Sequence, residues 1–259
     1  MKIAYIGIDL FFPALKELEK QGCEVLKIFS CKTDNITEFN TQIIAYAVKK
    51  RIPYTLQRIT KEDIQELVSQ GCEAIICAGY YYRIPVSPDV PMLNIHPTLL
   101  PIGGGSWPMP IIIMEKHKKS GVTFHKIAEE FDAGDIILQR EFLLDEKENH
   151  ETYMEKVYGL LPEMISQLIK DFKYLYDSAT PQGEGQYWQY PEEDMYTIKA
   201  DSTMEEADLI LRAFYGYECI YQGNAERYVL IKGNTVKEKR KGYSYFDLKD
   251  GYIECEISN

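Results

Sequence analysis

Thr60-Lys-Glu-Asp-Ile-Gln-Glu-Leu-Val-Ser-Gln-Gly71, followed at once by Cys72-Glu-Ala-Ile-Ile-Cys-Ala78, decides the fold. Thr60 stands where a helix N-cap belongs, and Glu62 and Asp63 place negative charge at the positive end of the helix dipole. Gly71 closes the helix, and the uninterrupted apolar run Ala74 to Ala78 is the pattern of a strand covered on both faces. The same alternation occurs upstream. Ile3 to Ile8 is a short apolar run, Pro13 to Glu19 is helical and closed by Gly22, and Glu24 to Phe29 is a second strand. Strand, helix, strand, helix predicts a parallel sheet with helices on both faces. Met92 to Ile95 adds a further strand. Downstream, Pro108 to Glu115 reads as a helix, Val122 to Ile127 and Ile136 to Phe142 as strands, and His150 to Phe172 as a long amphipathic helix.

The bulk numbers fit this architecture. A chain of 259 residues, 45% hydrophobic and 27% charged, holds one full core plus a small appendage. Its net charge of -11 argues against a dedicated nucleic-acid binder, which carries a basic footprint. The cysteines Cys23, Cys31, Cys72, Cys77, Cys219 and Cys255 are scattered without a Cys-x-x-Cys pair, as expected of free thiols in a reducing compartment. The opening apolar run is too short for a signal peptide, and no stretch approaches a membrane span. A cytoplasmic protein is expected, with no metal site. Residues 1–176 are expected to form the α/β domain and 177–200, rich in Gly and Pro, a linker. Residues 201–259 are expected to form a small appendage of one helix and β-hairpins, the helix opened by a Thr203/Glu206 capping box.

At the carboxyl end of the Met92 strand stands Asn94-Ile-His-Pro-Thr-Leu-Leu-Pro101, and ligands bind at that end of open α/β sheets. Further on comes Gly121-Val-Thr-Phe-His-Lys-Ile-Ala-Glu-Glu-Phe-Asp-Ala-Gly-Asp135. If each residue type occurs at about 5%, a match at the seven specified positions of such a signature, one of them open to two residue types, arises by chance on the order of once in 10⁹ positions. Together these segments resemble the folate-dependent formyltransferases, whose signature is Asn-x-His-Pro-[Ser/Thr]-Leu-Leu-Pro with a later Asp-[Ala/Thr]-Gly. The resemblance implies an α/β, mostly parallel, doubly wound (Rossmann-like) core with a small β-rich C-terminal appendage. It also implies 10-formyltetrahydrofolate as co-substrate, with Asn94, His96 and Asp132 as the catalytic residues. Their chemistry agrees: an amide can donate to an oxyanion, an imidazole titrating near pH 6.5 can take a proton, and a carboxylate can orient and charge-stabilise that imidazole.

Ala78-Gly-Tyr-Tyr-Tyr-Arg-Ile-Pro85 resembles the family's Ala-Gly-[Phe/Tyr]-x-Arg-Ile segment with one extra tyrosine. By that resemblance Tyr81, Tyr82, Arg83 and Ile84 line one side of the pterin pocket, and the loop Ala128, Glu129, Glu130 and Phe131 holds the ring through backbone groups. His125 matches the family pattern and reads as a strand histidine beside the site. Where the family usually carries Arg-Gly after the signature, this chain has Ile102-Gly-Gly-Gly-Ser-Trp-Pro108, which makes Trp107 a candidate stacking surface for the acceptor.

Three features bear on the acceptor. No glycine cradle for a phosphate follows the first strand, unlike in glycinamide-ribonucleotide formyltransferases. Few residues follow Ala200, against the larger basic C-terminal barrel of the initiator-tRNA enzymes, and Lys237-Glu-Lys-Arg-Lys241 is the one basic cluster there. The chain is therefore most similar to the sugar N-formyltransferases. Those are typically homodimers that formylate a nucleotide-linked, usually dTDP-linked, amino-dideoxysugar for bacterial surface polysaccharide. Formylation of methionyl-tRNA, hydrolysis of 10-formyltetrahydrofolate, and a folate-binding regulator stand as alternatives.

Overall fold

The computed structural model describes residues 1–223 and 226–256. In chain order the strands are β1 (Lys2–Gly7), β2 (Glu24–Phe29), β3 (Tyr54–Thr55), β4 (Ala74–Ala78), β5 (Met92–His96), β6 (Ile102–Gly105), β7 (Lys119–Lys126), β8 (Ile136–Leu143), β9 (Gln186–Trp188), β10 (Thr197–Lys199), β11 (Cys219–Gln222), β12 (Arg227–Leu230), β13 (Asn234–Val236), β14 (Tyr243–Leu248) and β15 (Gly251–Glu256). The helices are α1 (Phe12–Lys20), α2 (Thr41–Lys50), α3 (Lys61–Ser69), α4 (Pro108–Met114), α5 (His150–Lys170), α6 (Phe172–Asp177) and α7 (Met204–Ala213).

The chain divides into two compact units. The first comprises residues 1–106, 121–142 and 156–188, and the second residues 107–120, 143–155 and 189–259. In the first unit a seven-stranded sheet runs in the order β3-β2-β1-β4-β5-β7-β8. From β3 to β5 every pairing is parallel, and β7 joins β5 antiparallel. β1 and β4 are buried along most or all of their length, which is why they read as unbroken apolar runs. α3 begins as its sequence predicts. The Thr60 side chain accepts from the Asp63 amide, and the Asp63 carboxylate accepts from the Thr60 amide, completing a capping box.

The second unit holds α4, α7 and two three-stranded sheets, β10-β11-β12 and β13-β15-β14. The expected capping box at Thr203 and Glu206 is present at the start of α7. Within residues 201–256 the strand pairings are antiparallel, and β10, from the segment before, pairs in parallel with β11. The turn expected at Gly223-Asn224 lies partly outside the described residues. All six cysteines are buried free thiols. Among the described residues no helix is long and apolar enough to cross a membrane.

Residues 177–200, expected as a linker, are built structure. β9 lies there and pairs in parallel with β6, so Gly104 faces Tyr187 and Gly105 faces Trp188 across the ladder. One of the glycines that made the segment read as a linker, Gly185, serves close backbone approach instead. A Cβ on Gly185 would sit 2.2 Å from the Pro101 carbonyl oxygen, and one on Gly105 would sit 2.1 Å from that of Trp188. Gly105 also has φ of +131°, in the region that favours glycine. Replacing Gly105 with Ala is expected to destabilise the first unit by about 1–3 kcal/mol, the usual cost of a strained backbone residue. Denaturant unfolding of the variant against the parent measures this, and an unchanged midpoint would show that the β6–β9 pairing tolerates a side chain.

Candidate active site

β5 delivers two of the site's side chains. Asn94 and His96 are alternate residues of one strand, so they share a face of the sheet at its carboxyl end. The third comes from the loop between β7 and β8. Asp132 has φ of +54°, a left-handed conformation that Asp and Asn adopt more readily than other side chains. Two contacts fix it there. The Gln182 side-chain amide donates to the Asp132 carbonyl at 2.7 Å and to the Gly134 carbonyl at 2.6 Å. The Gly105 amide donates to Asp132 Oδ2 at 2.9 Å.

The structure brings Asn94, His96 and Asp132 together. His96 is buried, and its Nε2 donates to the Gly103 carbonyl at 2.8 Å. That bond puts the imidazole proton on Nε2 and leaves the Nδ1 lone pair facing Asp132 Oδ1 at 3.6 Å. Burial holds the His96 pKa below the ordinary histidine value, and the neighbouring Asp132 offsets this only in part. Burial alone would raise Asp132, but the histidines and the Gly105 amide outweigh it and keep the carboxyl below the usual carboxylate range. At neutral pH the pair is a neutral base beside a fixed anion, and a proton taken up at Nδ1 lands next to that anion.

His125, read from sequence as a strand histidine beside the site, is the fourth member. It stands opposite Asn94 in the β5–β7 ladder. Its Nδ1 donates to the Lys126 carbonyl at 2.9 Å, so its Nε2 accepts from Asn94 Nδ2 at 3.1 Å. This orients the Asn94 amide with its NH₂ inward. The second hydrogen of that NH₂ has only Asp132 Oδ1 at 3.5 Å and is available to a better acceptor. Gln182 is also a supporting residue that the sequence reading missed, since it stands in the segment taken for a linker.

The residues expected around a pterin fall into two groups. Arg83 lies over the Phe131 ring at 5.3 Å, so the segment after β4 and the loop before Asp132 meet. Phe131 and Tyr81 are exposed, as are Glu129 and Glu130, while Ala128 is half-buried. Tyr82 packs edge-on against Tyr80 and carries the Arg58 guanidinium on its ring at 4.2 Å. Ile84 differs. It is buried at 7% exposure in the hydrophobic core with Val90 and Met92, so its side chain holds the wall rather than presenting a surface. Trp107 belongs to the second unit. There it packs among Tyr190, Phe214 and Tyr217 and donates from Nε1 to His150 Nε2 at 3.2 Å. Burial lowers the His150 pKa to about 3, which keeps that acceptor neutral.

Comparison with known proteins agrees with this geometry. The sequence matches the model of the family "Formyl transferase" across residues 1–169, and the chain belongs to that family. It is 30% identical over 219 residues to the methionyl-tRNA formyltransferase of Coprothermobacter proteolyticus, covering 75% of this chain and 71% of that protein. With the corresponding protein of Ehrlichia ruminantium the identity is 28% over 200 residues. That match covers 75% of this chain and 61% of the relative, so the chain spans about three fifths of that relative's length. Among solved structures, HypX from Aquifex aeolicus in complex with tetrahydrofolic acid aligns over 98% of this chain and 43% of its own, with TM-score 0.76 and 17% identity. A 4-N formyltransferase from Francisella tularensis aligns over 88% of this chain and 96% of its own, with TM-score 0.70 and 23% identity. An N-formyltransferase from Helicobacter canadensis, in complex with folinic acid and dTDP-3-aminofucose, aligns over 98% of this chain and 97% of its own, with TM-score 0.67 and 17% identity. These likenesses carry the fold.

Replacing His96 with Asn is expected to lower formyl transfer by roughly 10²–10⁴-fold, the usual worth of a positioned base. Because His96 must be neutral to accept a proton, and its pKa lies below the ordinary value of about 6.5, parental turnover should stay level above that pH and fall below it. Asp132→Asn keeps the left-handed backbone preference and removes the charge. It should therefore cost turnover and lower the acid limb further, since the imidazolium loses its anion. Steady-state rates across pH 5–9 test both, and an Asp132→Asn variant with the parental rate and profile would reduce Asp132 to a structural role.

Proposed function

We propose that the protein transfers a formyl group from 10-formyltetrahydrofolate to the amino group of a nucleotide-linked amino-dideoxysugar, with a dTDP-linked sugar as the first candidate. The observation that carries the transfer chemistry is the unprotonated Nδ1 of His96 held 3.6 Å from an ionised carboxylate, with an amide donor on the same strand. The segments 81–83 and 128–131, joined by Arg83 and Phe131, offer a flat aromatic ring both an exposed aromatic face and loop backbone groups. They would hold the folate, which supplies the formyl carbon as an activated acyl group.

The protein's own residues then divide the work. As the acceptor nitrogen bonds to the formyl carbon, His96 takes the amine proton at Nδ1. Asp132 steadies the imidazolium, and Asn94 turns its weakly held N–H toward the developing oxyanion. The bond from the formyl carbon to the folate nitrogen breaks, and that nitrogen leaves with the proton returned through His96.

Several features favour a sugar nucleotide over the other acceptors of the family. Directly after β1, the Asp9 carboxylate accepts from the Gln42 and Ile43 amides at 2.8 and 2.9 Å. It thereby fills the N-terminus of α2, where a small phosphorylated acceptor would otherwise find donors. Three of the four cations in the basic cluster of the second unit are paired: Lys237 with Asp250, Lys239 with Asp247 and Arg240 with Glu254. Paired cations and a net charge of -11 make a poor footprint for RNA. The Helicobacter canadensis protein of the same fold was crystallised with dTDP-3-aminofucose. The sequence likeness to methionyl-tRNA formyltransferases supports the second reading, in which the aminoacyl group of tRNA is the acceptor.

Incubation with 10-formyltetrahydrofolate and a panel of dTDP-amino sugars, followed by mass spectrometry, should show one product heavier by a single formyl group. Methionyl-tRNA in a parallel reaction should remain unformylated. Formylated tRNA with an unmodified sugar panel would promote the second reading. Formate released at the same rate with and without acceptor would mark a hydrolase.

A further inference from the structure

Three groups crowd the same spot on the first unit. A Cβ placed on Gly104 would lie 3.5 Å from Asp132 Cβ, 3.5 Å from the Gln186 carbonyl oxygen and 3.5 Å from Tyr187 Cδ2. The edge of the Tyr187 ring and Asp132 thus border the same glycine, near enough for the Asp132 charge to act on the phenol. The ring lies against a residue without a side chain, and β9 pairs with β6 at this point, so its position is set by backbone. Yet 49% of Tyr187 is exposed, with exposed Ile102 on the neighbouring strand. Burial of its inner part and the Asp132 charge both raise the phenol above its ordinary pKa, so it stays neutral at the pH of the reaction. A rigidly held, uncharged, half-open aromatic surface next to the proton-transfer centre is suited to one kind of contact. It can pack against the carbon-bound hydrogens of a ring whose amine points at His96, leaving the hydroxyls of that ring in water.

We infer that Tyr187 is the platform on which the acceptor's hexose packs, so that it sets affinity for the acceptor and leaves folate binding alone. This rests on the function proposed above. The ring, not the hydroxyl, makes the contact.

The test uses the full chain with the dTDP-amino sugar that the wild type formylates. Tyr187→Ala should raise KM for that sugar roughly tenfold, the size of one lost aromatic packing contact. Its kcat should fall no more than about twofold, and its Kd for tetrahydrofolate, read by calorimetry, should be parental. Tyr187→Phe should keep the parental KM. Circular dichroism and parental tetrahydrofolate affinity establish that the variants are folded. A parental KM in Tyr187→Ala overturns the platform and leaves the sugar reading intact. So does a KM raised equally by Tyr187→Phe, which would assign the effect to the hydroxyl. A wild type that formylates no sugar of the panel overturns both readings together.

Discussion

The Asp132 carboxylate is the constraint around which the rest of the site is arranged. It is kept ionised in a nearly buried position, where an unpaired charge would be costly. Its neighbours supply what water would have given: the Gly105 amide on one oxygen, and His96, His125 and Asn94 around the other. Each of those groups then has its own orientation dictated. His96 is turned by the Gly103 carbonyl so that its lone pair faces the anion, and His125 is turned by the Lys126 carbonyl so that it receives the Asn94 amide. The triad is better described as one charge with four oriented dipoles.

Those orienting groups come from backbone, and this explains the architecture nearby. Gly105 approaches the Trp188 backbone of β9 too closely for a side chain, and Gly103 packs beneath the Trp188 ring and against Thr98. Thr98 and Thr123 complete the frame beneath. The Thr98 hydroxyl donates to the same Gly103 carbonyl at 3.1 Å, and the Thr123 hydroxyl donates to the Thr98 carbonyl at 2.6 Å. The Thr-Leu-Leu-Pro part of the signature is in this sense a bracket for the loop that follows, while its Asn and His face Asp132.

Much of this was legible in the sequence, for identifiable reasons. β1 and β4 carry unbroken apolar runs because both faces of the sheet are covered. α3 and α7 announce their starts through capping boxes, which are local interactions. Asn94, His96 and Asp132 were legible as residue types in a spaced pattern. What could not be read was the long-range part. Gln182 and β9 sit among glycines and prolines, and nothing local distinguishes a glycine that permits close approach from one that loosens a linker. His125 reads as an ordinary strand residue until its β5 neighbour is known. Ile84 matches a family segment by position, yet its side chain faces the core.

The Gln182 contact has a kinetic meaning as well. It joins residues 50 positions apart, and the sheet is closed by pairings as distant, with Ile3 of β1 opposite Ala74 of β4. Both therefore carry loop-closure entropy. The clamp on Asp132 differs in that its donor lies beyond α5 in the chain. A nascent chain that has emerged only through α5 carries Asn94, His96 and Asp132 but lacks the clamp on the Asp132 backbone. Synthesis of the segment that holds Gln182 therefore separates a chain that has every strand of the sheet from one whose site geometry is set.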